Sequence, residues 1–308
     1  MQIHAITVVK NEADVIRHTL RAGLEWADAI YVLDNGSTDG TWEIVRALAD
    51  EVPRIVLCGQ DPAPFRDGVR GAIHHRFRDR SVRGDWWCKL DADDLYVDDP
   101  RRFLERVPPA YSWVWSTYLN YFFTDRDLER WEEDPARYGP EVPPAQKLRY
   151  YLNNHSERRF VRDPGGFDWP DDEEWPIGLH RTYPSMIRQK NFVYRSPEQI
   201  QTRLDTRYDA IRAAAERGND HFFQHEQIIN WVDYMLKRAP AQKAARPADA
   251  PVPSWRERIM PADTLDEDTG DGHYVLRPEL ARQPPPGNRL AYTVRTALHS
   301  ARRLADLR

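Results

Sequence analysis

Apolar residues recur in two alternating rhythms over the first third of the chain. Residues 3–9 (IHAITVV) form a short β-rich run that passes into NEADVIRHTLRAGLEW, where Val15, Ile16, Leu20 and Leu24 recur at helical spacing. Residues 29–33 make a second apolar run ending in DNGSTDG, and 41–48 then read as a helix, with Ser37, Thr38 or Asp39 available to cap it. A third run, 54–58, precedes a candidate helix within 68–83, and a fourth, 86–90, runs into Asp91-Ala92-Asp93-Asp94. Strands alternating with helices predict parallel pairing, with binding groups gathered at the C-terminal ends of the strands. A further strand is expected at 112–118, after which the alternation gives way to a polar, aromatic-rich stretch from 122 to 175. Segments 198–215 and 222–237 read as helices that buttress the sheet, and 240–253 as an Ala/Pro-rich linker. The last segment, 288–308, carries Leu290, Val294, Leu298, Ala301 and Leu304 at helical spacing beside Arg289, Arg295, Arg302 and Arg303, the pattern of an amphipathic helix.

The 308 residues, 41% of them hydrophobic, supply one substantial core. A formal charge of -5, from 44 basic and 49 acidic residues well mixed along the chain, gives no broad positive field, so nucleic acid is not an expected partner. Eleven Trp and fourteen Tyr suit a carbohydrate site, where ring faces pack on sugar C–H surfaces, and equally suit a core. Cys58 and Cys88 both fall in strand-like runs, which argues against a disulfide framework and for a reducing compartment. The chain has no apolar run of about 18 residues, the length a membrane span needs. A cytoplasmic protein is expected. Its C-terminal helix is free to dock on the domain, on a second subunit of a homodimer, or weakly on anionic lipid at the inner membrane face.

Side-chain alternation at the end of the fourth run puts Asp91 and Asp93 on one side of the chain. Paired carboxylates there can present oxygens to a hard divalent ion such as Mg²⁺ or Mn²⁺. The triplets Asp125-Arg126-Asp127 and Asp266-Glu267-Asp268 have similar composition and read as solvated surface; position after the fourth strand is what distinguishes Asp91 to Asp94. DEDTGDG, at 266–272, has the look of a calcium loop, yet Arg277 stands where the bidentate carboxylate belongs, so a solvated turn is expected. The stretch 33–41 combines a strand end, a glycine turn and a helix start; its carboxylate and amide can read a base or ribose, or simply cap the turn. Lys10-Asn11-Glu12 closes the first strand and is open to the same two readings.

VVKNEADVIRHTL, YVLDNGSTDGTWEIV and WWCKLDADDLYV resemble the successive motifs of glycosyltransferase family 2 enzymes of the GT-A fold, across roughly the first 120 residues. YYLNNHSERRF and YRSPEQIQTRL resemble a bacterial subgroup of that family, extending the likeness to about Arg207. The resemblance implies an α/β fold with a Rossmann-like, mostly parallel sheet flanked by helices and a helical C-terminal extension. It divides the chain into a nucleotide-sugar-binding half (1–120), an acceptor-side half with buttressing helices (121–238), and the linker with its amphipathic helix (239–308). It further implies a nucleotide-sugar donor, most often a UDP-sugar, an Mg²⁺ or Mn²⁺ cofactor, and inversion at the anomeric carbon.

Carried over residue by residue, the resemblance implies that Asp34 contacts the base, that Glu12 and the Lys10 backbone border the nucleoside, and that Asp93 is the direct metal ligand. Asp91 beside it faces ribose, the metal or a metal-bound water, and Arg66, Arg70 and His74 approach the diphosphate. The catalytic base is expected in GGFDWPDDEEW, with Glu174 and Glu173 leading and Asp172 next, and with Trp169 and Trp175 placed to stack on a sugar. Glu226, next to His225 in HFFQHEQ, is the rival base, for which a packing role is favoured. Two positions depart from the pattern: Asn35 replaces a second acidic residue after Asp34, and Asn191 stands where the subgroup often has a His, whose role is then lost, taken by Asn191 or supplied by His180. The acceptor is left open among glycan, lipid-linked sugar, peptide and natural product. A sugar nucleotidyltransferase would be expected to have a glycine-rich basic loop after the first strand, which Lys10-Asn11-Glu12-Ala13-Asp14 is not. A non-catalytic carbohydrate-binding or scaffolding protein on the same fold is the other alternative, and the intact Asp91-Ala92-Asp93 argues against it.

Overall fold

A computed structural model describes residues 1–66, 68–179, 181–217, 224–238 and 245–278. The segment expected to be an amphipathic helix, 288–308, and His180 lie outside the described residues.

The four apolar runs become strands β1 (Ile3–Val9), β2 (Ala29–Asp34), β3 (Ile55–Gln60) and β4 (Trp86–Lys89). Helices α1 (Ile16–Gly23), α2 (Thr41–Glu51) and α3 (Val69–Phe77) connect them. β1 pairs in parallel with β2 and β4, and β2 with β3, as alternating strands and helices require. The remaining elements are β5 (Asp94–Tyr96), α4 (Pro100–Glu105), β6 (Trp113–Tyr121), α5 (Asp125–Glu133), α6 (Pro144–Lys147), β7 (Tyr150–Arg162), β8 (Ile187–Asn191), α7 (Pro197–Glu216), α8 (Trp231–Met235) and β9 (Asp266–Glu267). All nine strands join one sheet in the order β3-β2-β1-β4-β7-β6-β8-β5, with β9 added to β7. β7 runs antiparallel between β4 and β6 and so stitches the parallel portion to the rest.

Alternation along β4 decides which side chains meet which helices. Trp86 and Cys88 point into a cluster with Ile16 and Leu20 of α1 and Val45 and Leu48 of α2. Trp87 faces the other way, among Val69 and Ile73 of α3, Trp169 and Trp175. A third cluster under the later strands joins Tyr121, Phe122, Phe123, Tyr151, Phe192, Tyr194, Ile200, Leu204, Trp231 and Met260. Full burial of aliphatic and aromatic side chains of this kind stabilises by about 1.5–3 kcal/mol each, before cavity and entropy terms. Both cysteines are free, Cys88 in the core and Cys58 half-buried.

Several sequence expectations change at this level. Both acidic triplets assigned to solvent are built into the structure. Asp127 is fully buried and forms a reciprocal capping box with Thr124 at the start of α5. Asp266 and Glu267 pair with β7, and Asp268 accepts from the Tyr121 hydroxyl and from Lys190 Nζ. Of the helix expected at 222–237, the described residues retain a 3₁₀ turn, Gln224–Gln227, and the five-residue α8; Asn230, at φ 59°, breaks the helical path between them. The expected helix at 198–215 is α7, which does more than buttress.

Candidate active site

A cleft of about 840 Å³ opens where β1, β2 and β4 end. Lys10, Asn11 and Glu12 border it from the end of β1, Asn35, Gly36 and Thr38 from the turn after β2, and Asp91, Ala92 and Asp93 from the end of β4. The middle of β7 contributes His155, Glu157 and Arg159, and α7 contributes Arg203, Thr206 and Arg207, with Arg217 just after it. The cleft therefore gathers strand-end carboxylates against a wall of guanidinium groups.

Asp91 accepts from Arg70 at 2.6 Å and, on its other oxygen, from Arg159 at 2.8 Å. Burial pushes the Asp91 carboxyl up, but Arg159 and then Arg70 outweigh it and hold the group well below the usual carboxylate range. Each Asp91 oxygen is thus anchored by one guanidinium group, and the carboxylate remains in the cleft lining. Asp93 is differently placed: it is buried, lines the cleft, and has Arg203 at 3.7 Å as its nearest charge partner. Asp94, directed away from solvent, takes Asn191 Nδ2 at 2.9 Å and Arg159 at 2.9 Å. Burial raises its carboxyl well above the ordinary value in spite of Arg159, with Asp91 and Asp93 adding to the rise. Asn191, at the position of the expected histidine, thus braces Asp94.

At the end of β1 the backbone turns through Asn11, whose φ of 54° is a conformation that Asn tolerates better than most residues. Its side chain accepts from the Thr38 amide at 2.8 Å and donates to Thr206 at 3.0 Å, so one residue joins β1, the β2 turn and α7. Glu12 lines the cleft and is paired with Arg195, which also grips Asp14 through two nitrogens at 2.7 and 2.8 Å. Burial raises the Glu12 carboxyl, and Arg195 opposes the rise. Lys10 lies in the lining.

Asp34 is fully buried and lies behind the lining. Its Oδ1 accepts from the amides of Gly36 and Ser37 at 3.0 and 2.9 Å, the capping geometry, while Oδ2 is buried with no partner among the described residues. Asn35 explains its own departure from the family pattern: its amide donates to the carbonyls of Asp61 and Ala63 at 2.7 and 2.8 Å, which a carboxylate cannot do. It thereby holds the segment that brings Pro62, Pro64 and Phe65 to the cleft.

Of the three basic groups expected near a diphosphate, Arg70 is in the cleft. Arg66 instead donates to the Asp171 carbonyl at 2.9 Å, outside the lining. His74 is buried and stacked on Phe167 with centroids 4.4 Å apart; burial pulls its imidazole down to about 3 and keeps it neutral. The acidic loop is sorted by the same packing. Glycines at 68 and 71 let α3 lie directly on the loop backbone: a Cβ on Gly71 would sit 2.6 Å from the Trp169 carbonyl oxygen. Asp172 and Glu173 do not reach the lining; Glu174 does. Its carboxylate accepts from Lys89 Nζ, which alternation on β4 sends to the same side as Trp87. Burial pushes Glu174 up, and Lys89 outweighs it to hold the carboxyl below its ordinary value. Trp169 and Trp175 are buried and stacked on each other at 5.8 Å, so they are core and not sugar platforms. Glu226 is fully buried against the Tyr194 hydroxyl at 2.9 Å and Arg258 at 3.6 Å, in keeping with a packing role.

Sequence reading missed Lys89, Arg159, Arg195, Arg203 and Arg207. Three of them, Arg159, Arg195 and Arg203, stand in YYLNNHSERRF and YRSPEQIQTRL, segments that carried the subgroup likeness, which was the available signal. Among the described residues no three His, Cys, Asp or Glu side chains converge as a closed metal site. The donor set at Asp93 instead suits a hard cation held by one carboxylate with ligand phosphates and water completing the shell.

Residues 5–126 match the family model described as Glycosyl transferase family 2. No curated protein matches the chain. Among solved structures, the chain is similar to the mannosyltransferase PcManGT from Pyrobaculum calidifontis in complex with GDP-Man and Mn²⁺, with 18% identity over 72% of this chain and 65% of that one and a TM-score of 0.37. A mycobacterial protein gives 16% identity over 63% and 65%, TM-score 0.29, and S. aureus TarS 1–349 gives 13% over 72% and 67%, TM-score 0.29. The chain thus spans just under two thirds of the first two of these. The segment matched by the family model runs from β1 into α5 and contains the strand ends that build the cleft, and it is over this segment that the chain is similar to glycosyltransferase family 2.

Proposed function

We propose that the protein transfers a glycosyl group from a nucleoside diphosphate sugar to an acceptor hydroxyl with inversion, a UDP-sugar being the first donor to test. The observation that carries this reading is the juxtaposition, in one cleft, of Asp93 with Lys10, Arg203 and Arg207. The negative charge of a diphosphate finds in one lining both cationic side chains and a carboxylate able to share a cation with it. Asp93 would hold Mg²⁺ or Mn²⁺, and the ion, when bound, would neutralise charge growing on the departing nucleoside diphosphate.

The chain's own residues supply the rest. Arg70 and Arg159 hold Asp91 ionised and immobile, leaving it as a fixed acceptor for ribose hydroxyls. Asp34 shapes the turn that presents Asn35 and Gly36 to the nucleoside, acting on the base from behind the lining. Glu174 takes the proton from the acceptor hydroxyl as that oxygen attacks the anomeric carbon from the face opposite the diphosphate. Lys89 keeps Glu174 in the ionised form this step needs.

Thermal shift with UDP or GDP, each with and without Mn²⁺, tests the reading, because a ligand that binds only the native state raises its stability. Metal-dependent stabilisation by one nucleotide, lost in Asp93→Ala with the unliganded melt unchanged, is expected. Equal stabilisation of wild type and variant would remove Asp93 from the metal role.

A further inference from the structure

A second concavity, of about 250 Å³, shares no residue with the cleft. Arg130 on α5, Arg137 and Tyr138 in the 3₁₀ turn Pro135–Tyr138, Gln146 and Lys147 on α6, and Arg149 just before β7 line it. Four of the six lining residues are cationic and none is acidic. Among the described residues the one carboxylate paired with any of them is Asp127, 3.7 Å from Arg130. Asp127 is already engaged by the amide and hydroxyl of Thr124 and by the Tyr138 hydroxyl at 3.0 Å.

Lys147 is the informative member. It is 4% exposed, and among the described residues it makes no hydrogen bond and no ion pair within 4 Å. Taking an ammonium out of water is costly, and burial pulls this one down to about 8, against the attraction of the Asp14 carboxylate and with a push from Arg195. The fold therefore holds a buried cation, three guanidinium groups and an amide around an empty volume. Guanidinium forks match the oxygens of a tetrahedral anion, and an ammonium supplies a point charge to the same group.

We propose that this pocket is a second anion site, separate from the donor cleft, that holds a phosphate group as a mono- or diester. The group comes either from a soluble phosphate compound or from a lipid headgroup, and the two are separable by experiment. Arg137 and Arg149 are exposed, so Arg137→Gln/Arg149→Gln leaves the core intact, and Lys147→Met is a second, independent variant. Full-length wild type and both variants are titrated calorimetrically with inorganic phosphate, and in parallel with a nucleoside diphosphate. Loss of about tenfold or more in phosphate affinity in each variant, with nucleotide affinity unchanged, is the expected result. Flotation with phosphatidate and with phosphatidylcholine vesicles assigns the source: capture by phosphatidate that is lost in the variants identifies a headgroup, and phosphate binding without capture identifies a soluble ester. Phosphate affinity equal in wild type and both variants overturns the proposal, as does the absence of both phosphate binding and phosphatidate capture in wild type.

Discussion

Replacing Lys89 by Met should move the pH dependence of turnover without removing the base. Lys89 is 5% exposed at its side chain and Glu174 is 49% exposed. Burial alone would lift the Glu174 carboxyl, and Lys89 reverses the sign; in Lys89→Met the attraction is gone and the burial penalty stays, so the carboxyl rises. Two unit charges 4 Å apart interact by ~4 kcal/mol at an effective dielectric of 20 and by ~1 kcal/mol in water. With one partner buried and the other half in water, screening places the pair in the lower part of that range. We take about 1.4 kcal/mol, which is one pH unit. Methionine keeps the length of the stem and packs on Trp175, whose ring centroid lies 4.2 Å from Lys89 Nζ. The assay is kcat against pH at saturating donor and acceptor, where the acid limb reports the base in the ternary complex. A base works ionised, so a raised pKa shifts the acid limb upward, by about one unit here. Glu174→Gln should lower kcat by about 10²- to 10⁴-fold and abolish the limb. An acid limb that stays in place in Lys89→Met refutes the tuning, and near-native turnover in Glu174→Gln refutes the base.

Other outcomes follow from the same geometry. Glu226→Gln leaves the fully buried Arg258 without its charge partner, and breaking such a pair costs about 3–5 kcal/mol. Tm should fall by on the order of 10 °C while turnover at low temperature stays near wild type; lost turnover with an unchanged melt would make Glu226 the base. Gly71→Ala forces a Cβ to within 2.6 and 2.7 Å of two loop carbonyl oxygens, an overpacking of about 1–3 kcal/mol that displaces the segment leading to Glu174. Its kcat should drop more than its donor affinity, and wild-type kinetics would show that the loop does not depend on this contact. Asn35→Asp replaces two amide donations to carbonyls by repulsion, at about 1–3 kcal/mol, and loosens the segment bearing Pro62, Pro64 and Phe65. Donor KM should rise with kcat little changed, and an unaltered KM would separate that segment from donor binding.

The first four strands were legible because each is a short, mostly apolar run bounded by turn residues in alternation with helices; β1, β2 and β4 are buried on both faces, and β3, at the sheet edge, only in part. β7 was not, although it is the longest strand. Its ends are apolar, but its centre, NNHSER, is polar where the strand passes the cleft, so neither alternation nor an apolar run marks it. Asp93 and Glu12 could be placed from their positions at strand ends. The sequence ranked Glu174 and Glu173 together, and what separates them, the pairing of Glu174 with Lys89 in the cleft lining, comes from a residue 85 positions away through the facing of β4. Buried arginines fail for the same reason: Arg195 reads as surface in a window of sequence, and its partner Asp14 is 181 positions distant. Trp169 and Trp175 flank the acidic loop as a sugar platform would, and only their mutual stacking shows them to be core.

The place of β7 between β4 and β6 also sets a timetable for synthesis. β4 is complete at Lys89, yet the strand that covers its free side pairs Trp86 with Arg162, so on the ribosome the donor half waits for more than half the chain. During that interval WWCK is an open edge with a single charge and no proline, the kind of template that neighbouring nascent chains can extend. The clamp of Arg195 on Glu12 and Asp14 closes later still. A fragment ending where the family segment ends, near residue 126, would carry every motif of the cleft's floor and yet keep that edge exposed. Such a fragment should aggregate, and productive folding of the whole chain is a late, long-range event governed by how well the β4 edge is shielded until β7 arrives.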